Sequence, residues 1–177
     1  MAEEKKKRRG RRAYLDDFHA LSNGEFVYTG KIYAYSGAKP WSRALTPLWI
    51  LALLIAACLI GSGFLPASGM MGSFYVLIPW VLTFCGGASI VWALCRMTQK
   101  GPELKEYVYR ATVEALPLRS VFTAVCAGVT GLAQIVRLIA GSDSMTADAV
   151  FILLMAVTVN LALLIRPRIK STSFALK

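Results

Sequence analysis

The sequence has very little of what metal, haem and redox centres are built from. Its one histidine, His19, lies outside every long apolar run, so a haem held between two histidines cannot form. The four cysteines contain no CxxC pair and fall within or at the edge of apolar runs, which favours a role as small packing residues over a disulfide framework (Cys58, Cys85, Cys95 and Cys126). We therefore expect no cofactor and no metal.

Motifs for catalysis are also missing. The chain has no GxSxG elbow and no Walker loop. No Asp or Glu occurs in the central part of any apolar run, where proton-coupled transporters usually carry one. An enzyme acting on lipid at the membrane surface would have only Asp16, Asp17 and His19 as candidate groups. The sequence favours a protein that is not an enzyme.

Long apolar runs are what the chain does have. Hydrophobic residues make up 56% of its 177 residues, and the excess is concentrated at about 45–65, 74–95, 118–140 and 147–165. Each run is near the ~20 residues that a helix needs to cross a bilayer. Buried helices of a soluble core usually keep a polar stripe, and stretches such as LWILALLIAACLIG have almost none. We predict an all-α membrane protein of four transmembrane helices, arranged as two hairpins in a four-helix bundle.

Three segments follow from this pattern. Residues 1–44 form a basic, amphipathic and Tyr-rich N-terminal segment, 45–166 the transmembrane domain and 167–177 a short tail. In a four-span arrangement 19 of the 20 Lys and Arg residues lie on one side, and Arg137 alone lies toward the other. Positive charge in short loops marks the cytoplasmic face. We expect both termini to be cytoplasmic, in a membrane that we take to be the bacterial cytoplasmic membrane.

The N-terminal basic cluster could be a nucleic-acid arm, a localisation signal or a membrane contact. A recognition helix or stacking aromatic residues do not accompany it, so we expect no nucleic-acid partner. Next to a membrane, each basic side chain gains up to about 1 kcal/mol from anionic headgroups. The predicted contacts with anionic lipid are Lys5, Lys6, Lys7, Arg8, Arg9, Arg11 and Arg12.

Two cytoplasmic segments, 13–42 and 101–116, have patterns typical of ordered structure. YLDDFHALSNG predicts a short interfacial helix, and EFVYTGKIYAYSG favours an extended chain or a hairpin that turns at Thr29 and Gly30. A linker lying along the membrane is the alternative. GPELKEYVYRATVEALP predicts a second cytoplasmic helix. Together the two segments could dock a protein partner.

Polar residues inside the spans are few. Gln134 and Arg137 lie three residues apart in the third span, and Asn160 lies in the fourth. Gln134 and Asn160 differ by about 10 Å in depth, so we do not expect them to pair within one chain. Each either bonds to a neighbouring helix or lines a pathway. Pro79 should kink the second span, with Gly86 and Gly87 loosening it further.

Arg137 lies about 4–5 Å of helix rise from the outer end of its span. Asp148, in the first turn of the fourth span, is at a similar depth, and the helix dipole favours a negative charge there. We predict an ion pair between Arg137 and Asp148, or with Asp143 if that fails. The alternative makes Arg137 an anion-binding residue at a pore mouth, beside Gln134.

These observations predict a small polytopic membrane protein that acts as a non-enzymatic accessory or scaffold subunit of a membrane complex. The alternative is a small oligomeric transporter or channel subunit that uses Gln134, Asn160 and the Pro79 kink. Oligomeric state is not fixed by either.

Overall fold

The computed structural model describes residues 18–20, 26–141 and 144–177. Six helices and a π-helical turn are present there: α1 Trp41–Gly63, α2 Ser68–Gly72, α3 Phe74–Lys100, α4 Glu106–Tyr109, the π turn Arg110–Glu114, α5 Leu116–Ala140 and α6 Met145–Lys170. The strands are β1 Phe18–Ala20, β2 Phe26–Tyr28, β3 Ile32–Tyr35, β4 Glu103–Lys105 and β5 Phe174–Leu176.

The four expected spans correspond to four helices that are long and apolar enough to cross a membrane. In the most apolar stretch of each of these helices, only 28–33% is buried inside the protein. Many of the other residues in these stretches are large apolar side chains that face outward. This distribution suits contact with lipid and indicates an integral membrane protein.

The helices extend beyond the apolar runs that predicted them. α1 begins at Trp41, α3 continues to Lys100 and α6 to Lys170. An apolar run marks the part of a helix that lies in hydrocarbon, whereas backbone hydrogen bonding continues into the polar interface. α3 ends where Gly101 takes a φ of 75°, a conformation that glycine adopts without strain.

The long helices pack in a ring. α5 lies against α3 and α6, and α1 lies against the same two helices from the other side. Large apolar side chains fill the space between them, among them Leu48, Ile55, Ile90, Met155 and Ile165, each at most 1% exposed. The short helix α2 crosses one end of this ring and contacts α3, α5 and α6.

A three-stranded antiparallel sheet covers the opposite end. β3, which precedes α1, lies in the middle, with β4 on one side and β5 on the other. Tyr33 is opposite Leu104 of β4 and Leu176 of β5. The sheet therefore joins the chain before α1, the chain after α3 and the chain after α6. We call this the sheet end, and the end that α2 crosses the far end.

The strands correct three expectations about the polar segments. Phe18–Ala20 lie in β1, which pairs with β2, where a helix was expected. The hairpin at Thr29 and Gly30 does not form, because β3 pairs with β4 and β5 instead of β2. The predicted middle helix begins only at Glu106, and Leu104 is a fully buried strand residue. For β3 and β4 the partners are distant in the chain, so the local pattern could not indicate the pairing.

Candidate functional site

One face of α5 carries polar side chains into the protein interior. Ser120, Thr123, Thr130 and Gln134 are all fully buried, and their spacing places them along a single stripe of the helix. The threonine hydroxyls donate back to their own helix, Thr123 Oγ1 to the Arg119 carbonyl at 2.8 Å and Thr130 Oγ1 to the Cys126 carbonyl at 2.8 Å. These donors are therefore satisfied within α5 itself and need no partner on another helix.

The stripe ends at the far end in a cluster formed by Ser68, Gln134 and Asp148, which we call the far-end cluster. The Asp148 carboxylate accepts at least three hydrogen bonds: from Gln134 Nε2 at 2.8 Å, from the Ser68 backbone N–H at 2.8 Å and from Ser68 Oγ at 2.7 Å. Asp148 lies in the first turn of α6, where the helix dipole favours a negative charge. The cluster thereby ties α2, α5 and α6 together.

Gly69 completes the packing around this cluster. A Cβ added at Gly69 would overlap the side-chain oxygen Oε1 of Gln134. That oxygen is buried and has no hydrogen-bond donor within the described part of the chain. Any larger residue at this position would have to displace the Gln134 side chain from its place between α2 and α5.

The predicted ion pair between Arg137 and Asp148 does not form. The structure shows ion pairs between Arg110 and Glu106 and between Lys177 and Glu103, but none between Arg137 and Asp148. Asp148 accepts hydrogen bonds from Gln134 and Ser68. Gln134 belongs to the fully buried stripe, whereas Arg137 is only half-buried and its Nε has no partner among the described residues. Asp143, the second candidate partner, lies outside the described residues.

Asn160 and Pro79 are not part of the far-end cluster. Asn160 is exposed on α6, and its Nδ2 donates to the Ala156 carbonyl of the preceding turn at 2.8 Å. Pro79 lies within α3, and its carbonyl accepts a bond from Thr83 Oγ1 at 2.8 Å. The predicted polar positions therefore do not converge on one pathway: Gln134 faces inward and Asn160 faces outward.

The chemistry available at the far-end cluster is limited. The Asp148 carboxylate holds the Gln134 amide and the Ser68 hydroxyl in place. The described residues contain no group of three His, Cys, Asp or Glu side chains that could bind a metal. Ser68 has the carboxylate beside it but no histidine base of the kind that activates serine. The arrangement is suited to fixing the positions of helices. The basic cluster at residues 5–12 lies outside the described residues.

The sheet end forms a second ordered surface, held by aromatic side chains. The rings of Tyr33 and Tyr109 stack at 4.2 Å with an interplanar angle of 9°. Phe174 packs edge-on against Tyr109, Trp41 and Tyr35, with centroids 5.3–6.0 Å apart. Lys177, which follows β5, extends the pairing with β3, because its backbone N–H donates to the Ile32 carbonyl. This role of the tail could not be predicted from the sequence, because a strand of three residues carries no periodic signal.

The Gln134–Asp148 contact was also missed, although a signal for it was present. Gln134 and Asp148 differ by only about 4–5 Å in depth when measured from the adjacent helix ends, which a glutamine side chain can span. Opposite charge favoured Arg137 over Gln134 as the predicted partner of Asp148. No protein-family model, curated protein or solved structure matches the chain.

Proposed function

We propose that this protein is a non-enzymatic scaffold subunit of a membrane complex and that its sheet end docks a protein partner. One observation supports this most directly: three segments far apart in the chain are joined there into a single sheet. Among the described strands, β4 and β5 form the two edges of this sheet, and Leu176 of β5 is 59% exposed. An edge strand presents unpaired backbone groups to which a partner strand can be added.

In this proposal the four long helices form a membrane-embedded bundle of two hairpins, and the sheet end is cytoplasmic. The support is electrostatic, since 19 of the 20 basic residues lie at the sheet end of the chain's helices: before α1 or in its first turn, in the last turns of α6 or after it, or between and at the adjoining ends of α3 and α5. The basic residues between Lys5 and Arg12 would hold the N-terminal segment against anionic headgroups. A bacterial cytoplasmic membrane fits this arrangement.

The proposal is tested by site-specific photocrosslinking in intact cells. A photoreactive residue at Leu176 or at Lys105, both exposed at the sheet end, should give a discrete adduct with another protein. Phe64, 84% exposed at the other end of α1, provides the matched control and should give none. Adducts of equal yield at Leu176 and Phe64, or none at either sheet-end position, would contradict the docking role.

A small oligomeric transporter or channel is the second candidate, and the buried polar stripe of α5 favours it. A pathway along that stripe would pass Thr130, whose Oγ1 lies 3.5 Å from Thr83 Oγ1, and reach Gln134. Purified protein in liposomes tests this candidate through ion and solute flux. The scaffold proposal expects no flux above that of empty liposomes, whereas flux that Gln134→Leu abolishes would support transport.

A further inference from the structure

Two arginines from different helices lie against the same indole ring. Arg96 of α3 and Arg119 of α5 each place Cζ 5.3 Å from the centroid of Trp92. The two guanidinium groups are therefore no further apart than twice that distance. Arg96 also lies 5.8 Å from the ring centroid of Tyr107, on the chain between α3 and α5.

Neither of these cations has a carboxylate partner in the part of the chain that the structure describes. Arg119 donates to the Ser89 and Ala111 carbonyls at 2.9 and 3.0 Å, and these are neutral groups. Arg96 and Arg119 carry like charges beside the same ring, and like charges repel. Two half-buried like charges in such proximity raise the free energy, and an anion bound between them would lower it.

An apolar groove begins at the same indole. It is a half-open groove between α1 and α3 with a volume of about 310 Å³. Apolar side chains line it, including Ala56, Leu59, Ile60, Phe84, Ala88 and Trp92. Trp92 is 50% exposed, and it is both the last of these residues along α3 and the ring that the arginines contact. The groove and the cation pair therefore share the Trp92 ring.

The length of this surface corresponds to one leaflet. Phe84, Ala88, Trp92 and Arg96 follow one another at intervals of four residues, so they lie along one stripe of α3. From Phe84 to Arg96 the helix rises about 18 Å, compared with about 15 Å for half of the hydrocarbon core. A tryptophan below a pair of arginines is the order expected at the headgroup level of a membrane.

We propose that this surface binds one anionic phospholipid from the leaflet at the sheet end, with its phosphate at Arg96 and Arg119 and an acyl chain in the α1–α3 groove. Basic pockets between transmembrane helices are suited to anionic headgroups. Of the two arginines, Arg119 is already held by backbone carbonyls and also positions the chain after α4, so Arg96 is the residue to change.

The test is lipid retention by the purified full-length chain, measured by native mass spectrometry and by thermal stabilisation in detergent. Phosphatidylglycerol should bind, and phosphatidylcholine with the same acyl chains should bind more weakly. Arg96→Gln should reduce the affinity for phosphatidylglycerol about 5-fold. Arg96→Lys should recover most of it. The matched control is Arg110→Gln, since Arg110 is an exposed sheet-end arginine paired with Glu106.

The groove is tested separately with Ala88→Leu, which fills part of it. This variant should weaken binding of long-chain phosphatidylglycerol and keep the melting temperature of the lipid-free protein. Equal binding of phosphatidylcholine, an equal loss in Arg110→Gln or unchanged binding in Ala88→Leu would overturn the proposal. Equal stabilisation by inorganic phosphate alone would also overturn it, because it would assign the arginines to a free anion.

Discussion

Gly69→Ala should destabilise the protein by forcing Gln134 away from Asp148. The added Cβ overlaps Gln134 Oε1, and the Gln134 amide that binds Asp148 belongs to the same planar group. Overpacking of this kind costs about 1–3 kcal/mol. If Gln134 moves far enough to lose the bond to the carboxylate, the loss of a charged hydrogen bond, about 1.5–3 kcal/mol, replaces that strain.

Gly72→Ala provides a matched control in the same short helix. A Cβ at Gly72 meets nothing within 4 Å, and neither glycine has a positive φ. Both substitutions reduce the freedom of the unfolded chain by a similar amount, worth about 0.4–1 kcal/mol. That contribution cancels in the comparison, so Gly69→Ala should be about 1–3 kcal/mol less stable than Gly72→Ala.

The measurement is the free energy of unfolding in mixed micelles, followed by tryptophan fluorescence during titration with a denaturing detergent. The decisive experiment repeats Gly69→Ala in a Gln134→Ala background, where the shortened side chain removes the overlap. The cost of Gly69→Ala should then nearly vanish, as expected for two residues in direct contact. An undiminished cost in that background, or equal stability of the Gly69 and Gly72 variants, would refute the reasoning.

The remaining predictions concern three other contacts. Asp148→Asn should lower the free energy of unfolding by about 1–3 kcal/mol, because the new amide N–H would face groups that donate hydrogen bonds to the carboxylate. Stability equal to that of the original protein would contradict the role of the far-end cluster. Phe174→Ala removes three ring contacts and should speed backbone hydrogen exchange in β3, whereas Leu176→Ala, at an exposed position, should not. Gly86→Ala, whose Cβ would press on the neighbouring threonine of α5, should cost about 1–3 kcal/mol in the same unfolding assay, whereas Gly128→Ala, in open space, should cost far less. Similar costs at the two glycines would contradict close packing at Gly86.

The spans were predictable because membrane insertion depends on local composition. Twenty apolar residues in succession need no knowledge of the rest of the chain, and all four runs correspond to helices in the structure. Their ends were predicted less well, since a helix continues past its apolar run until a residue such as Gly101 stops it.

The sheet was not predictable by the same means. β4 and β5 have three residues each and pair with β3 across about 70 and 140 residues of chain. Strands this short have almost no periodicity of their own, and their stability comes from partners that local patterns do not reveal. The aromatic content around Tyr33 and Tyr35 indicated an extended segment, but it could not indicate which strands would lie beside it.

The two glycines after Pro79 show why a residue's local tendency and its role in packing can differ. Gly86 and Gly87 were expected to loosen α3, because glycine weakens an isolated helix. In the structure both are buried: a Cβ at Gly86 would meet Thr123 of α5, and one at Gly87 would meet Leu59 of α1. The pair lets α3 approach a neighbour on each side. In a membrane, where helices associate through close packing, that gain can outweigh the weaker local propensity.

The polar stripe of α5 contributes to close packing in a similar way. Small hydroxyl residues that bond to their own backbone allow close approach to α3 without leaving buried donors unpaired. The helix interfaces are therefore specified by side-chain size and internal hydrogen bonding, which the apolar runs alone do not record.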